Sequence, residues 1–188
     1  MPKLIAVVYK NSALENYSTK QIRRHRELNP HLSAQMVQAH EEHAASLDAL
    51  HRIVDTLQLK TEFFERDRLR QNLDNFALVI SLGGDGTFIH ASHYIKNVSS
   101  NQTLLVGINS SPKHSVGHYC RFHLLAKKNE NQFAAMLAAF FNEKNPSWKE
   151  NFLLRMRVTV QGQEVAYPIL NDVLFCEKEA GSTSRYTL

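Results

Sequence analysis

One junction constrains this chain more than any other. The apolar run Phe76–Leu82 passes directly into Gly83-Gly84-Asp85-Gly86-Thr87. An aliphatic run without polar alternation fits a strand buried on both faces of a parallel sheet. Glycines at its end let the backbone approach a ligand closely. The residues from Thr87 to Ile95 read as a helix, with Thr87 placed to cap it. Strand, glycine loop and helix in that order put the loop at the carboxyl end of a sheet, where open α/β sheets bind ligands. The free N–H groups at the start of the following helix suit a phosphate.

The rest of the chain supplies the sheet. Leu4–Tyr9 and Leu104–Ile108 are further buried-strand runs, and Thr61–Phe64 has room for a short second strand. Residues 10–32, ending in Asn29-Pro30, read as an irregular connection with room for a short helix. Ser33 is placed to cap a long helix reaching about Gln58, with Val37, Ala44, Leu47, Leu50, Val54 and Leu57 as its apolar stripe. Arg66–Asn75 is polar, with at most one or two helical turns. Phe133–Asn142 is a strongly apolar helix. Strands alternating with helices imply an α/β, Rossmann-like parallel-sheet domain over residues 1–146. After Pro146 the pattern becomes alternating, with a hairpin turn at Gln161-Gly162-Gln163. Val165–Cys176 and Ser184–Leu188 are strand-like. Residues 147–188 therefore read as the beginning of an antiparallel β domain that stops partway.

Composition bounds the function. The longest apolar run, Phe133–Phe141, has nine residues, against roughly twenty for a membrane-spanning helix. The apolar stretch at the N-terminus is shorter than a signal-peptide core, so the expectation is a cytoplasmic protein. A net charge of +4 among 188 residues suits anionic ligands but is too small to argue for nucleic acid. Lys20, Arg23, Arg24 and Arg26 are either a solvated helix face or an attraction for a polyphosphate substrate. Cys120 and Cys176 read as buried, reduced thiols.

Asp85 carries the chemical argument. A carboxylate within a phosphate cradle repels phosphate, but it accepts the proton of an attacking hydroxyl or touches Mg²⁺. The alternative is a local turn-former.

Gly83-Gly84-Asp85-Gly86-Thr87 resembles a motif of NAD kinases and of the related diacylglycerol and sphingosine kinases. Two more segments favour the NAD kinases. Leu105-Val106-Gly107-Ile108-Asn109 followed by Val116-Gly117-His118-Tyr119 resembles their next strand and loop, where aromatic residues flank the adenine of NAD. Leu170-Asn171-Asp172-Val173 resembles their Leu-Asn-Glu-Val, whose polar pair binds NAD hydroxyl and amide groups. The long helix and the 110–120 loop are closer to the mitochondrial-type branch.

The resemblance implies transfer of the γ-phosphoryl group of ATP to the adenosine ribose 2′-hydroxyl of NAD. It makes Asp85 the catalytic residue. It assigns Gly86, His118, Tyr119, Asn171 and Asp172 to NAD, and Gly83, Gly84 and Thr87 to phosphates. Mg²⁺ would accompany ATP, and the intact protein would be a homo-oligomer acting on neither nucleic acid nor membrane. Asp172 stands where the family has Glu, and His118 where it has an aromatic hydrocarbon ring. The family's Gly-, Ser- and Thr-rich continuation is absent. The alternatives are a lipid kinase on the same fold and a non-catalytic nucleotide-binding module.

The histidines have weaker claims. His40 and His43 stand one turn apart on the long helix, also home to His51, but lack an evident third metal ligand. His90 and His93 are one turn apart near the glycine loop, and either join the site or pack on the helix flank. Arg185 either pairs with a phosphate or belongs to a hairpin loop.

Overall fold

The four strand segments form one parallel sheet. In the computed structural model, which describes residues 4–96, 103–142, 153–164 and 169–171, they are β1 (Ile5–Tyr9), β2 (Thr61–Glu65), β3 (Leu78–Gly83) and β4 (Leu104–Asn109). Their order is β2-β1-β3-β4. Ile5 pairs with Thr61 on one side and Leu78 on the other, and Leu78 pairs with Leu104. Parallel pairing demands long crossovers, and the helices supply them. They are α1 (Thr19–Leu28), α2 (Pro30–Thr56), α3 (Asp85–Ser92) and α4 (Lys127–Asn142).

Alternate strand residues face opposite layers. Ile5, Val7, Leu78, Ile80, Leu82 and Ile108 pack with Leu50, Ile53 and Val54 of α2 and with Phe133 and Leu137 of α4. Ala6, Val8 and Val79 face the other way, onto Ala91, Ile95, Leu69, Leu73 and Phe76. The sheet is therefore covered on both faces, which is why its inner strands β1 and β3 lack alternation, while the edge strand β2 carries Glu62 and Glu65.

The helix boundaries differ from the sequence reading in instructive ways. The 10–32 connection contains all of α1, opened by a capping box in which Ser18 and Gln21 bond reciprocally. The second helix starts at Pro30, not after Ser33. Asn29 caps it by accepting the Leu32 N–H at 3.1 Å, and Pro30 sits where a missing N–H costs nothing. Along α2, the carboxyl-terminal half of the expected stripe holds. Farther back, Ala44 is exposed, and Glu42, His43 and Ser46 take the buried face. Segment 66–75 holds one 3-10 turn, Arg66–Arg68. Its apolar residues Leu69 and Leu73 are buried beneath α3. The expected Phe133–Asn142 helix begins earlier, at Lys127.

The chain divides into two compact units, Met1–Asn151 and Phe152–Leu188. In the second, β5 (Thr159–Val160) and β6 (Gln163–Glu164) form an antiparallel pair. Gln161 (φ 50°) and Gly162 (φ 79°) make the turn, with the two positive φ values that suit a two-residue hairpin. Met156 and Ile169 exchange backbone hydrogen bonds of 2.7 and 2.8 Å. Most of Val165–Cys176, and all of Ser184–Leu188, lie outside the described residues. Among the described residues no helix is long and apolar enough to cross a membrane.

Candidate functional site

The glycine loop stands at the carboxyl end of β3, beside the point where the chain direction switches between β1 and β3. Gly83 is the last residue of the strand, Gly84 is the N-cap of α3, and Asp85 opens the helix. Thr87 is not the cap. It is the third helical residue, its side chain is buried, and its N–H turns back to the Gly84 carbonyl at 2.9 Å. Asp85 and Gly86 hold the first two N–H groups of the helix, which have no intrahelical acceptor. Gly86 is exposed.

The Asp85 side chain meets a second segment. Its Oδ2 accepts the His118 N–H at 2.8 Å, and its Oδ1 accepts the Tyr119 N–H at 2.8 Å. These charge-assisted bonds draw the loop after β4 back over the start of α3. A carboxylate has roughly four acceptor positions, so a hydroxyl ligand still finds a lone pair there. The Tyr119 ring stacks on Phe88, with centroids 5.2 Å apart and planes 6° from parallel. One face of the tyrosine is thereby occupied, while His118 is exposed.

Two glycines allow the loop to return. Gly117 has φ +67°, and a Cβ on it would stand 2.6 Å from Asn109 Nδ2. Gly107, within β4, lies under the returning chain, where a Cβ would stand 2.7 Å from the Tyr119 carbonyl oxygen. Asn109 then ties the loop from inside, donating from Nδ2 to the Ser115 carbonyl at 2.8 Å and accepting the Ser111 N–H at 3.1 Å.

Helix α2 braces the same loop. The buried Glu42 accepts from the Ser111 hydroxyl at 2.9 Å and faces Lys113 Nζ at 3.2 Å. Ser46 donates to the Ser110 carbonyl at 3.3 Å. Cys120 is buried behind Asp85. Burial first, then the Asp85 charge and a hydrogen bond to it, push its thiol up to about 12. This supports the inert, reduced reading of Cys120; Cys176 lies outside the described residues.

The structure thus gathers Gly83, Gly84, Asp85, Gly86, Thr87, His118 and Tyr119. His90 lies on the flank of α3 among Arg66, Asp67 and Arg70. Burial, then Arg66, hold its imidazole below the usual range. Asn171, at φ 87°, belongs to the second unit, and Asp172 and Arg185 lie outside the described residues. His40 bonds Ser12 at 2.7 Å and His51 stacks on Phe63. No group of three metal-ligating side chains occurs among the described residues. The basic cluster of α1 lies on a helix with no buried residue, and Arg23 pairs there with Glu27. Glu42, Ser46 and Ser111 escaped the sequence reading. The available signal was Asn109-Ser110-Ser111, three polar residues closing a buried strand.

No protein-family model matches the chain. Over 138 residues it is 27% identical to a rice protein (Oryza sativa subsp. japonica) named "Probable NADH kinase". The match covers 65% of this chain and 38% of that protein, so the chain spans little more than a third of the relative's length.

Proposed function

We propose that the chain carries the phosphoryl-transfer half of an NAD(H) kinase. The observation that supports this most is the meeting of two sequence segments at one carboxylate. Asp85 of the glycine loop is bonded by His118 and Tyr119, more than thirty residues away. The similarity to a protein named as an NADH kinase points the same way.

In this reading the acceptor is the adenosine ribose 2′-hydroxyl of NAD or NADH. Asp85 takes its proton. The hydroxyl oxygen bonds to the γ-phosphorus of ATP, the bond between that phosphorus and the β,γ-bridging oxygen breaks, and ADP leaves. The N–H groups of Asp85 and Gly86 face the phosphates, with the helix dipole behind them. Gly83 leaves room for the buried Thr87 side chain, which anchors the turn from inside, and Gly84 lets Ser115 approach the loop. His118 and Tyr119 border the adenosine, to which Asn171 and Asp172 contribute in the same reading. Mg²⁺ bound to ATP would offset charge on the phosphate oxygens, and Asp85 is the carboxylate of the loop that would lie nearest to it.

The test is product detection. The purified chain is incubated with ATP, Mg²⁺ and either NAD or NADH, and NADP or NADPH is sought by mass spectrometry. Phosphorylated product from the native sequence, absent with Asp85→Asn, is the expected result. Equal product from both proteins removes Asp85 from the mechanism. Binding of NAD without product from either favours the non-catalytic module.

A further inference from the structure

The strand register places two cations beside the glycine loop. Tyr9 pairs with Glu65 on one side and with Leu82 on the other. Lys10 and Arg66 are therefore the first residues beyond the paired ends of β1 and β2, and Gly83, paired with Asn109, ends β3 on the other side of β1. Neighbouring strands lie about 4.8 Å apart, so Arg66 is roughly 10 Å of backbone from Gly83. That distance suits a linear triphosphate lying across the three strand ends.

The local electrostatics are those of a site built for an anion. Burial first, and then the Arg66 charge, lower the Lys10 pKa. Two like charges held together in a partly dry place repel, and an anion between them relieves the cost. Arg66 directs Nε to Asp67 Oδ1 at 2.7 Å, and its fork has further donors. Arg70 reinforces the turn by donating to the Asp67 and Leu69 carbonyls at 3.0 and 2.7 Å. His90 borders the cluster from α3, with Nε2 buried and unpartnered among the described residues.

Next to this cluster lies a cavity of about 520 Å³, lined among others by Tyr9, Phe63, Phe64, Arg68 and Gln71. It offers aromatic edges and polar tips, as a nucleoside requires. Its Glu65 is already engaged, accepting from Asn11 Nδ2 at 2.7 Å and facing Arg68 at 3.2 Å.

We propose that Lys10 and Arg66 form the subsite that binds the triphosphate of the phosphoryl donor and delivers its terminal phosphorus to Asp85. The inference rests on the kinase reading for its role, but the binding it asserts is measurable without turnover.

The experiment is calorimetric titration of the full chain with sodium tripolyphosphate and, separately, with ATP and Mg²⁺. Arg66→Gln and Lys10→Gln are each expected to weaken both ligands about tenfold, the loss of one charge-assisted contact. Arg23→Gln, the same charge change on exposed α1, is expected to leave both unchanged. Where turnover is measurable, the donor KM rises about tenfold and the NAD KM does not. Should Lys10→Gln not fold, Arg66→Gln carries the test, because that side chain is 30% exposed. Affinity unchanged in Arg66→Gln, or lost equally in Arg23→Gln, overturns the subsite. The kinase reading fails separately, if triphosphate binds through Arg66 but neither NAD nor NADH is phosphorylated.

Discussion

The two ends of the parallel sheet are built from the same four strands and differ in what they bury. At the amino end the strands begin with Ile5, Thr61, Leu78 and Leu104. The buried Thr103 there donates its hydroxyl to the Asp74 and Phe76 carbonyls at 3.1 and 2.9 Å. At the carboxyl end Ser12, Thr87, Asn109, Ser110 and Ser111 are buried, and Glu42, His43 and Ser46 reach it from α2. Burying polar groups costs stability unless each finds a partner. Two atoms here, His43 Nδ1 and Ser110 Oγ, have none among the described residues. A fold concentrates such costs where local structure serves something other than stability. The amino end answers to packing, and the carboxyl end carries the polar burial that the proposed site would call for.

Substitutions at the two ends should separate these purposes. The largest effect is expected from Asp85→Asn. Loss of the proton acceptor should lower kcat by roughly 10²–10⁴-fold, with a small change in melting temperature. Stopped-time assays and calorimetry on one preparation would measure both, and a large melting shift with unchanged kcat would reverse the assignment of that end.

Leu78→Ala, at the amino end, should do the opposite. Leu78 is 2% exposed, so about 3 kcal/mol of stability should be lost in urea unfolding, while the folded fraction keeps its kcat.

His43 sharpens the comparison through pH. Burial, and then the Lys10 charge, bring its pKa down from 6.5 to about 4. Between those values the unfolded chain binds a proton that the folded chain refuses. Stability from this group is therefore constant above about pH 6.5 and falls as pH drops toward 4, by up to about 3 kcal/mol. Urea midpoints across pH 4–7 would show the slope, and His43→Gln should flatten it. An identical slope in that variant would place the acid sensitivity elsewhere.

Gly117→Ala should be the mildest. A side chain at φ +67°, 2.6 Å from Asn109 Nδ2, costs about 2 kcal/mol. It should also raise hydrogen exchange at the His118 and Tyr119 amides, the two that hold Asp85. Unchanged protection there would mean the loop does not depend on that turn.

Much of the framework was legible from the letters. The runs around Val7, Ile80 and Val106 declare buried parallel strands because apolar residues fill both faces of each, with Ser81 the one polar residue in the second. The glycine loop declares its place by following one of those runs, and Gln161-Gly162 declares a hairpin because both positions take positive φ. Other features leave no such trace. Asn29-Pro30 reads as a break, yet the same pair opens α2, because proline at the first helical position forfeits no hydrogen bond. Glu42 and Ser46 stand outside the apolar stripe, and their partners Ser111 and Ser110 lie more than sixty residues away. The clasp on Asp85 is made by backbone N–H groups, which every residue but proline carries, so no residue type at 118 or 119 announces it.

That clasp also controls a chemical reporter already present in the chain. With its thiol near 12, Cys120 is thiolate in roughly one molecule in 10⁵ at neutral pH, far below a free cysteine. Alkylating reagents attack the thiolate, so reaction waits for the His118–Cys120 segment to swing out and restore an ordinary acidity. The labelling half-life of Cys120 is then a clock for loop opening, readable by peptide mass mapping that counts Cys176 separately. A ligand that seats itself against Asp85 would slow or hasten that clock according to whether it needs the loop shut or open.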